Sequence, residues 1–242
     1  IKNSIDLDRL VEIAKTAPKI TSDITPIWNK LNKQPVKIGV AYDEVFNFYY
    51  KENIESLEAN NAKIEYFSPL NDEELPDVDG LYIGGGYPEL FSKELNANQN
   101  MLSQIKNFHL EDRPIFAECG GLMYLMNSIP EDKMVNVYPY KSILTDRVQA
   151  LKYTLAEVTQ DNIISKKGEK FHGHEFHYSK VLVDKNNIEN DLAFNILRGK
   201  GSYNNQDGFM KRNTLASYVH THVAAMPNFG GNLCISSLEL GG

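Results

Sequence analysis

Cysteine is scarce in this chain. Only Cys119 and Cys234 occur in 242 residues, too few for a disulfide framework, so burial must hold the fold and a reducing cytoplasm is the expected setting. Long apolar runs are missing as well: nothing approaches a membrane span, and the N-terminus has neither the basic nor the apolar region of a signal peptide. Net charge is −7, and no segment carries the dense Lys/Arg stripe that phosphate binding needs. Neither nucleic acid nor a membrane is therefore an expected partner. The dinucleotide fingerprint G-x-G-x-x-G and the phosphate-binding loop G-x-x-x-x-G-K-[ST] are both absent. The chain opens on Ile1 with no initiator methionine, so a fragment of a longer polypeptide is expected.

What is present is an ordinary globular composition, 42% hydrophobic and 24% charged, sufficient for one large core or two modest ones. Leu7, Leu10, Val11, Ile13 and Ala14 recur at helical spacing behind Asp6, a residue type that caps helix starts, and a polar stretch with Pro18 and Pro26 follows. Residues 1–34 read as a lead-in or linker, with the main domain at 35–242. Val36 to Tyr42 is a near-continuous apolar run, as in a strand covered on both faces. Phe46, Tyr49, Tyr50, Ile54 and Leu57 then have helical spacing, and Lys63 to Phe67 reads as a second strand. Strand, helix, strand is the start of a doubly wound sheet. A third strand, Gly80 to Ile83, runs into Gly84-Gly85-Gly86-Tyr87-Pro88-Glu89, where bare backbone can approach a negative or polarised oxygen. Met101, Leu102, Ile105 and Phe108 mark the next helix.

The segment Arg113 to Met126 organises the chain. Pro114 to Ala117 has strand length, Leu122, Met123 and Met126 have helical spacing, and Cys119 sits at the join with Gly120-Gly121 behind it. A thiol on such a sharp turn is held clear of both elements, the arrangement of a nucleophile elbow. The unpaired N–H groups of the following helical turn are expected to lower the thiol pKa and to receive an oxyanion. A buried structural cysteine and a simple glycine turn are the bland alternatives. After Pro130 the pattern becomes alternating, over Val148–Val158, Phe171–Val183, Leu192–Leu197 and Thr214–His220, so an antiparallel region closing one side of the site is expected.

A nucleophilic cysteine requires a base, usually a distant histidine. His109 belongs to the helix before Cys119 and reads as surface. His172, His174 and His177 fall together in Phe-His-Gly-His-Glu-Phe-His-Tyr-Ser, as do His220 and His222 in Ser-Tyr-Val-His-Thr-His-Val. On strands, His172 and His174 would share a face with His177 opposite, and His220 would share one with His222. No carboxylate or cysteine completes a recognisable ligand spacing, so no metal is expected.

Five motifs in order, Asp-Glu-Val-Phe-Asn-Phe-Tyr-Tyr (43–50), Gly-Gly-Gly-Tyr-Pro-Glu-Leu (84–90), Ala-Glu-Cys-Gly-Gly-Leu-Met-Tyr-Leu (117–125), Gly-His-Glu-Phe-His-Tyr-Ser (173–179) and Ala-Ser-Tyr-Val-His (216–220), closely resemble the C-terminal glutaminase domain of the cobyrinate and cobyric acid branch of class I glutamine amidotransferases. The resemblance covers about residues 36 to 230. It implies a flavodoxin-like α/β three-layer sandwich with a mainly parallel central sheet and an added antiparallel region in the second half. It implies Cys119 as nucleophile, His220 as its base with His222 as the competitor, and backbone N–H groups of Gly85, Gly86 and Gly120 as the oxyanion and substrate-binding set. The commoner class I enzymes carry a glutamate two residues after the histidine; here that position is His222, so the site works as a Cys-His dyad or takes Glu175 as orienting group. Residues 1–34 resemble the tail of an ATP-dependent synthetase domain. L-glutamine would be the substrate here, with no cofactor in this fragment and ATP and magnesium in the full-length ligase, whose acceptor would be a tetrapyrrole polycarboxylate amidated at its a and c acetate side chains. A nickel-sirohydrochlorin acceptor in methanogens, a cell-wall peptide carboxylate acceptor, a non-catalytic glutaminase-like binding domain and a homodimeric arrangement all stay open.

Overall fold

A computed structural model of the protein describes residues 5–19, 25–183 and 192–239; residues 20–24 of the expected linker lie outside them. Asp6 caps the first helix, Leu7–Lys15, by accepting a hydrogen bond from the Arg9 amide at 3.0 Å. No residue of that helix is buried, so its apolar stripe contributes no core. Residues 29–32 do join the body: the Asn60 side-chain oxygen accepts from the amides of Leu31 and Asn32 at 2.6 and 3.0 Å.

The body is built on one ten-stranded sheet. In order across it run His220–Thr221, Lys170–His177, Ala150–Val158, Leu192–Arg198, Gln206–Lys211, Thr214–Ser217, Ile115–Glu118, Gly80–Ile83, Val36–Ala41 and Ala62–Phe67. The five from Thr214–Ser217 to Ala62–Phe67 are mutually parallel and the other neighbours pair antiparallel. The antiparallel half therefore extends the parallel sheet by direct pairing. Parallel pairing demands cover on both faces, and the alternation supplies it. Val36, Ile38, Val40, Tyr82 and Phe116 pack with Leu57, Phe229 and Leu233 on one side. Leu81, Ile83, Ile115 and Ala117 pack with Met101, Ile105 and Phe108 on the other. Each fully buried aromatic or aliphatic side chain of this kind contributes about 1.5–3 kcal/mol. Cys234 belongs to the first of these cores and is fully buried.

Two sequence expectations fail here for local reasons. Phe46–Phe48 is a short strand paired antiparallel with Gly85–Gly86, and the helix begins only at Lys51. The side-chain-free glycines let this ribbon form: a Cβ on Gly86 would stand 1.7 Å from the Val45 carbonyl oxygen. His109 is buried, 1% exposed, with Nδ1 2.8 Å from Thr214 Oγ1. It lies one helical turn beyond Ile105, hence on the inner face of Gln99–Leu110, and burial pushes its imidazole down to about 4.

Candidate active site

The strand Ile115–Glu118 ends between Gly80–Ile83 and Thr214–Ser217, and its next residue makes the turn. Cys119 adopts φ 50°, ψ −99°, a conformation that costs a non-glycine residue about 1–3 kcal/mol and persists only where surroundings impose it. They do so on both sides: the Cys119 amide donates to Ser217 O at 2.8 Å, and the Cys119 carbonyl accepts from the Met123 amide at 3.1 Å. The helix Gly120–Leu125 then leads away. Its first residue must be glycine, because a Cβ there would lie 2.8 Å from both the amide nitrogen and the carbonyl oxygen of Gly86. The nucleophile turn and the glycine run are thus in backbone contact, at the carboxyl edge of the parallel strands where open α/β sheets place their ligands.

A cleft of about 380 Å3 opens over this turn. Cys119, Gly86, His220, His174, His177, Glu89 and Phe48 all contribute to its lining. His220 arrives on the short edge strand His220–Thr221, paired with Gly173 and His174. Its ring stacks on His174 at 4.6 Å and meets Phe48 edge-on at 5.0 Å. Its Cε1 lies so close to Gly85 that a Cβ on that residue would come within 2.7 Å. The structure therefore brings together Cys119, His220, Gly85, Gly86 and Gly120.

His222 and Glu175 are not part of this group. The strand stops at Thr221, so the face expected to be shared by His220 and His222 does not extend that far. His222 Nδ1 accepts from the Ala224 amide at 3.0 Å, its ring packs on Tyr50, and its Nε2 lies 3.6 Å from Glu52. Glu175 does not line the cleft; it is fully buried, and its two oxygens accept from the amides of Gly201 and Lys200 at 2.6 and 3.0 Å. Among the described residues no carboxylate hydrogen-bonds the His220 ring; aromatic neighbours hold it instead.

Burial sets the charge state of the pair. The Cys119 thiol is pushed up to about 12, first by burial and next by the nearby Glu89 carboxylate, with the Gly120 amide opposing. The expected lowering by the helix start is present as that one amide contact, and desolvation outweighs it. Burial pushes His220 down to about 3, helped by His174 and His177. The thiol donates to Phe176 O at 3.8 Å, and the cleft it shares with His220 holds a neutral thiol and a neutral imidazole at rest. Such a pair has nucleophilic power only when proton transfer accompanies attack, the task of a general base.

Four further residues shape the site, and their part in it is not readable from the sequence. Phe48 lies in a segment whose apolar spacing suggests a helix. His174 stacks on His220, and its Nδ1 lies 3.2 Å from Tyr50 Oη, a contact between residues far apart in the chain that spacing cannot reveal. Glu118 is buried, and its carboxylate accepts from the Thr221 amide at 2.7 Å, Thr221 Oγ1 at 2.8 Å and Tyr82 Oη at 2.7 Å. It joins the residue before the nucleophile to the residue after the histidine, and burial raises it to about 7. Glu89 is the fourth, on the turn Pro88–Leu90.

Comparison with known proteins adds to this geometry. The family model of the CobB/CobQ-like glutamine amidotransferase domain matches residues 37–227. Cobyrinate a,c-diamide synthase of Methanobrevibacter smithii is 83% identical over 242 residues, covering 100% of this chain and 54% of the relative. The enzyme of the same name from Methanothermobacter thermautotrophicus is 51% identical, covering 97% and 52%. The chain thus spans about half the length of the relatives it matches. Among solved structures, PurLQS from Thermotoga maritima aligns with a TM-score of 0.62 at 13% identity, over 85% of this chain and 99% of the other. The crystal structure of a glutamine amidotransferase aligns with a TM-score of 0.56 at 18% identity, over 84% and 97%. At these identities the structural likeness concerns the fold, which is that of class I glutamine amidotransferases.

Proposed function

Because the chain belongs to the CobB/CobQ-like glutamine amidotransferase domain family, we propose that it hydrolyses L-glutamine at Cys119 and hands the ammonia to the other half of a longer, ATP-dependent ligase. The observation that carries this reading is the shared cleft of Cys119, held in a left-handed turn, and His220, packed against the glycine run.

Cys119 Sγ attacks the carboxamide carbon of glutamine while its proton passes to His220. The oxyanion of the tetrahedral intermediate is received by backbone N–H groups of Gly85 or Gly86 and of Gly120, each worth about 3–4 kcal/mol to the transition state. The carbon–nitrogen bond breaks as His220 returns the proton to the departing nitrogen, leaving ammonia and a glutamyl thioester. Water, deprotonated by His220, then releases glutamate and restores the thiol. The pair acts as a Cys-His dyad, with His174 and Phe48 fixing the imidazole plane.

The names of the relatives support cobyrinate as the acceptor, amidated on its a and c acetate side chains, and a cytoplasmic setting suits a free thiol. ATP and magnesium fall to the other half. The cleft here does not fit a nucleotide, since no Lys or Arg among the described residues lines it, and no step above passes through one. The reading is tested with the complete polypeptide, ATP, magnesium, cobyrinate and glutamine labelled with 15N in the amide. The expected product carries 15N in both new amides, seen by mass spectrometry. Glutamate release with an unlabelled, unamidated tetrapyrrole would remove cobyrinate as acceptor, and no glutamate release would remove the glutaminase itself.

A further inference from the structure

Glu89 is an anomaly in the cleft. Proline opens the turn Pro88–Leu90 after Gly86 and Tyr87, and Glu89 on that turn lines the same cleft as Cys119. Its Oε2 is buried with no hydrogen-bond partner among the described residues. Buried carboxylate oxygens are normally satisfied, because an unmade hydrogen bond there costs more than one to a neutral group. No Lys or Arg among the described residues lines the cleft to supply a countercharge. The carboxylate also works against the thiol, since its charge opposes ionisation of Cys119. The Glu89 carboxyl, raised above its usual range by burial with only its own backbone amide opposing, shares this cleft with the nucleophile and keeps one oxygen unsatisfied until a donor arrives.

Glutamine carries such a group. Its carboxamide must reach Cys119, which leaves an α-ammonium and an α-carboxylate to be accommodated further along the cleft. We infer that Glu89 is the residue that recognises the α-ammonium of the substrate, its orphaned Oε2 accepting a charge-assisted hydrogen bond from it; the inference rests on the glutaminase reading. Binding then does two things at once. It satisfies the buried oxygen, and it neutralises the charge that disfavours a thiolate, so that the nucleophile is eased toward ionisation only when an α-amino amide is in place. Amides without an α-amino group forgo both effects.

The test compares L-glutamine with its desamino analogue, 5-amino-5-oxopentanoic acid, as ligands of the Cys119→Ala variant, which cannot turn over, using calorimetry. L-glutamine is expected to bind about tenfold or more tighter. Adding the isosteric Glu89→Gln should abolish that preference while changing affinity for the desamino analogue less than about twofold. Persistence of the preference in Glu89→Gln would overturn the inference alone, as would a parallel loss of both ligands, the signature of a merely structural residue. Failure of Cys119→Ala to bind L-glutamine at all would overturn the glutaminase reading and this inference with it.

Discussion

Serine at position 119 is expected to lower glutamate release by at least about a thousandfold while leaving the fold unchanged. The substitution exchanges one sulfur for oxygen and keeps the shape of the turn, so the left-handed conformation and its two backbone hydrogen bonds should survive. Circular dichroism and a thermal melt would register their loss. What changes is the nucleophile. The thiol already sits high, at about 12, and a hydroxyl holds its proton more tightly still, beyond the reach of an imidazole that burial keeps neutral down to about 3. Losses of that order accompany removal of an activated nucleophile elsewhere. Cys234→Ser provides the control. That thiol is buried between helix and sheet with Sγ 3.9 Å from Leu57 O, and turnover per folded molecule should stay within about twofold. Ordinary glutamate release from Cys119→Ser would show that the sulfur is structural.

The second large effect separates the two histidines. His220→Ala should cost about a hundred- to ten-thousandfold in kcat, the usual contribution of a positioned general base. His222→Ala should cost no more than about threefold, because its ring packs on Tyr50 and faces Glu52 at the surface of the helix Lys51–Ala59. A kcat and KM split checks the assignment. Loss of the base lowers kcat at nearly constant KM, whereas collapse of the His174 and Phe48 stack would raise KM as well. The reverse ranking of the two variants would move the base to His222.

The parts of this site visible in sequence are those written in contiguous residues. A strand-length apolar run, Cys119 and two glycines announce a turn, and three glycines after a buried strand announce exposed backbone. Both lie where expected, and their mutual contact through Gly86 and Gly120 follows from the neighbouring parallel strands that carry them. Choosing His220 requires the family resemblance, because alternation places side chains on faces without saying which strands become neighbours. Phe46–Phe48 departs from expectation for a similar reason: its apolar positions also satisfy helical spacing, and only pairing with Gly85–Gly86 fixes it as a strand. The thiol pKa runs opposite to expectation because a local signal, the helix start, is readable from sequence, whereas depth of burial is a property of the whole fold. Glu89 and Glu118 are hidden in the sequence on the same ground. One is marked by a missing partner and the other by three partner groups distant in sequence.

The central claim is that Cys119 is a nucleophile served by His220 in the cleft the two residues line. It is tested most directly by treating the protein with 6-diazo-5-oxo-L-norleucine, a glutamine analogue that alkylates the attacking atom, and mapping the adduct by peptide mass spectrometry. One adduct on Cys119 is expected, none on Cys234, with labelling suppressed by excess L-glutamine and slowed at least about a hundredfold in His220→Ala. An adduct on Cys234, or labelling of Cys119 that neither L-glutamine nor His220→Ala affects, would contradict the account.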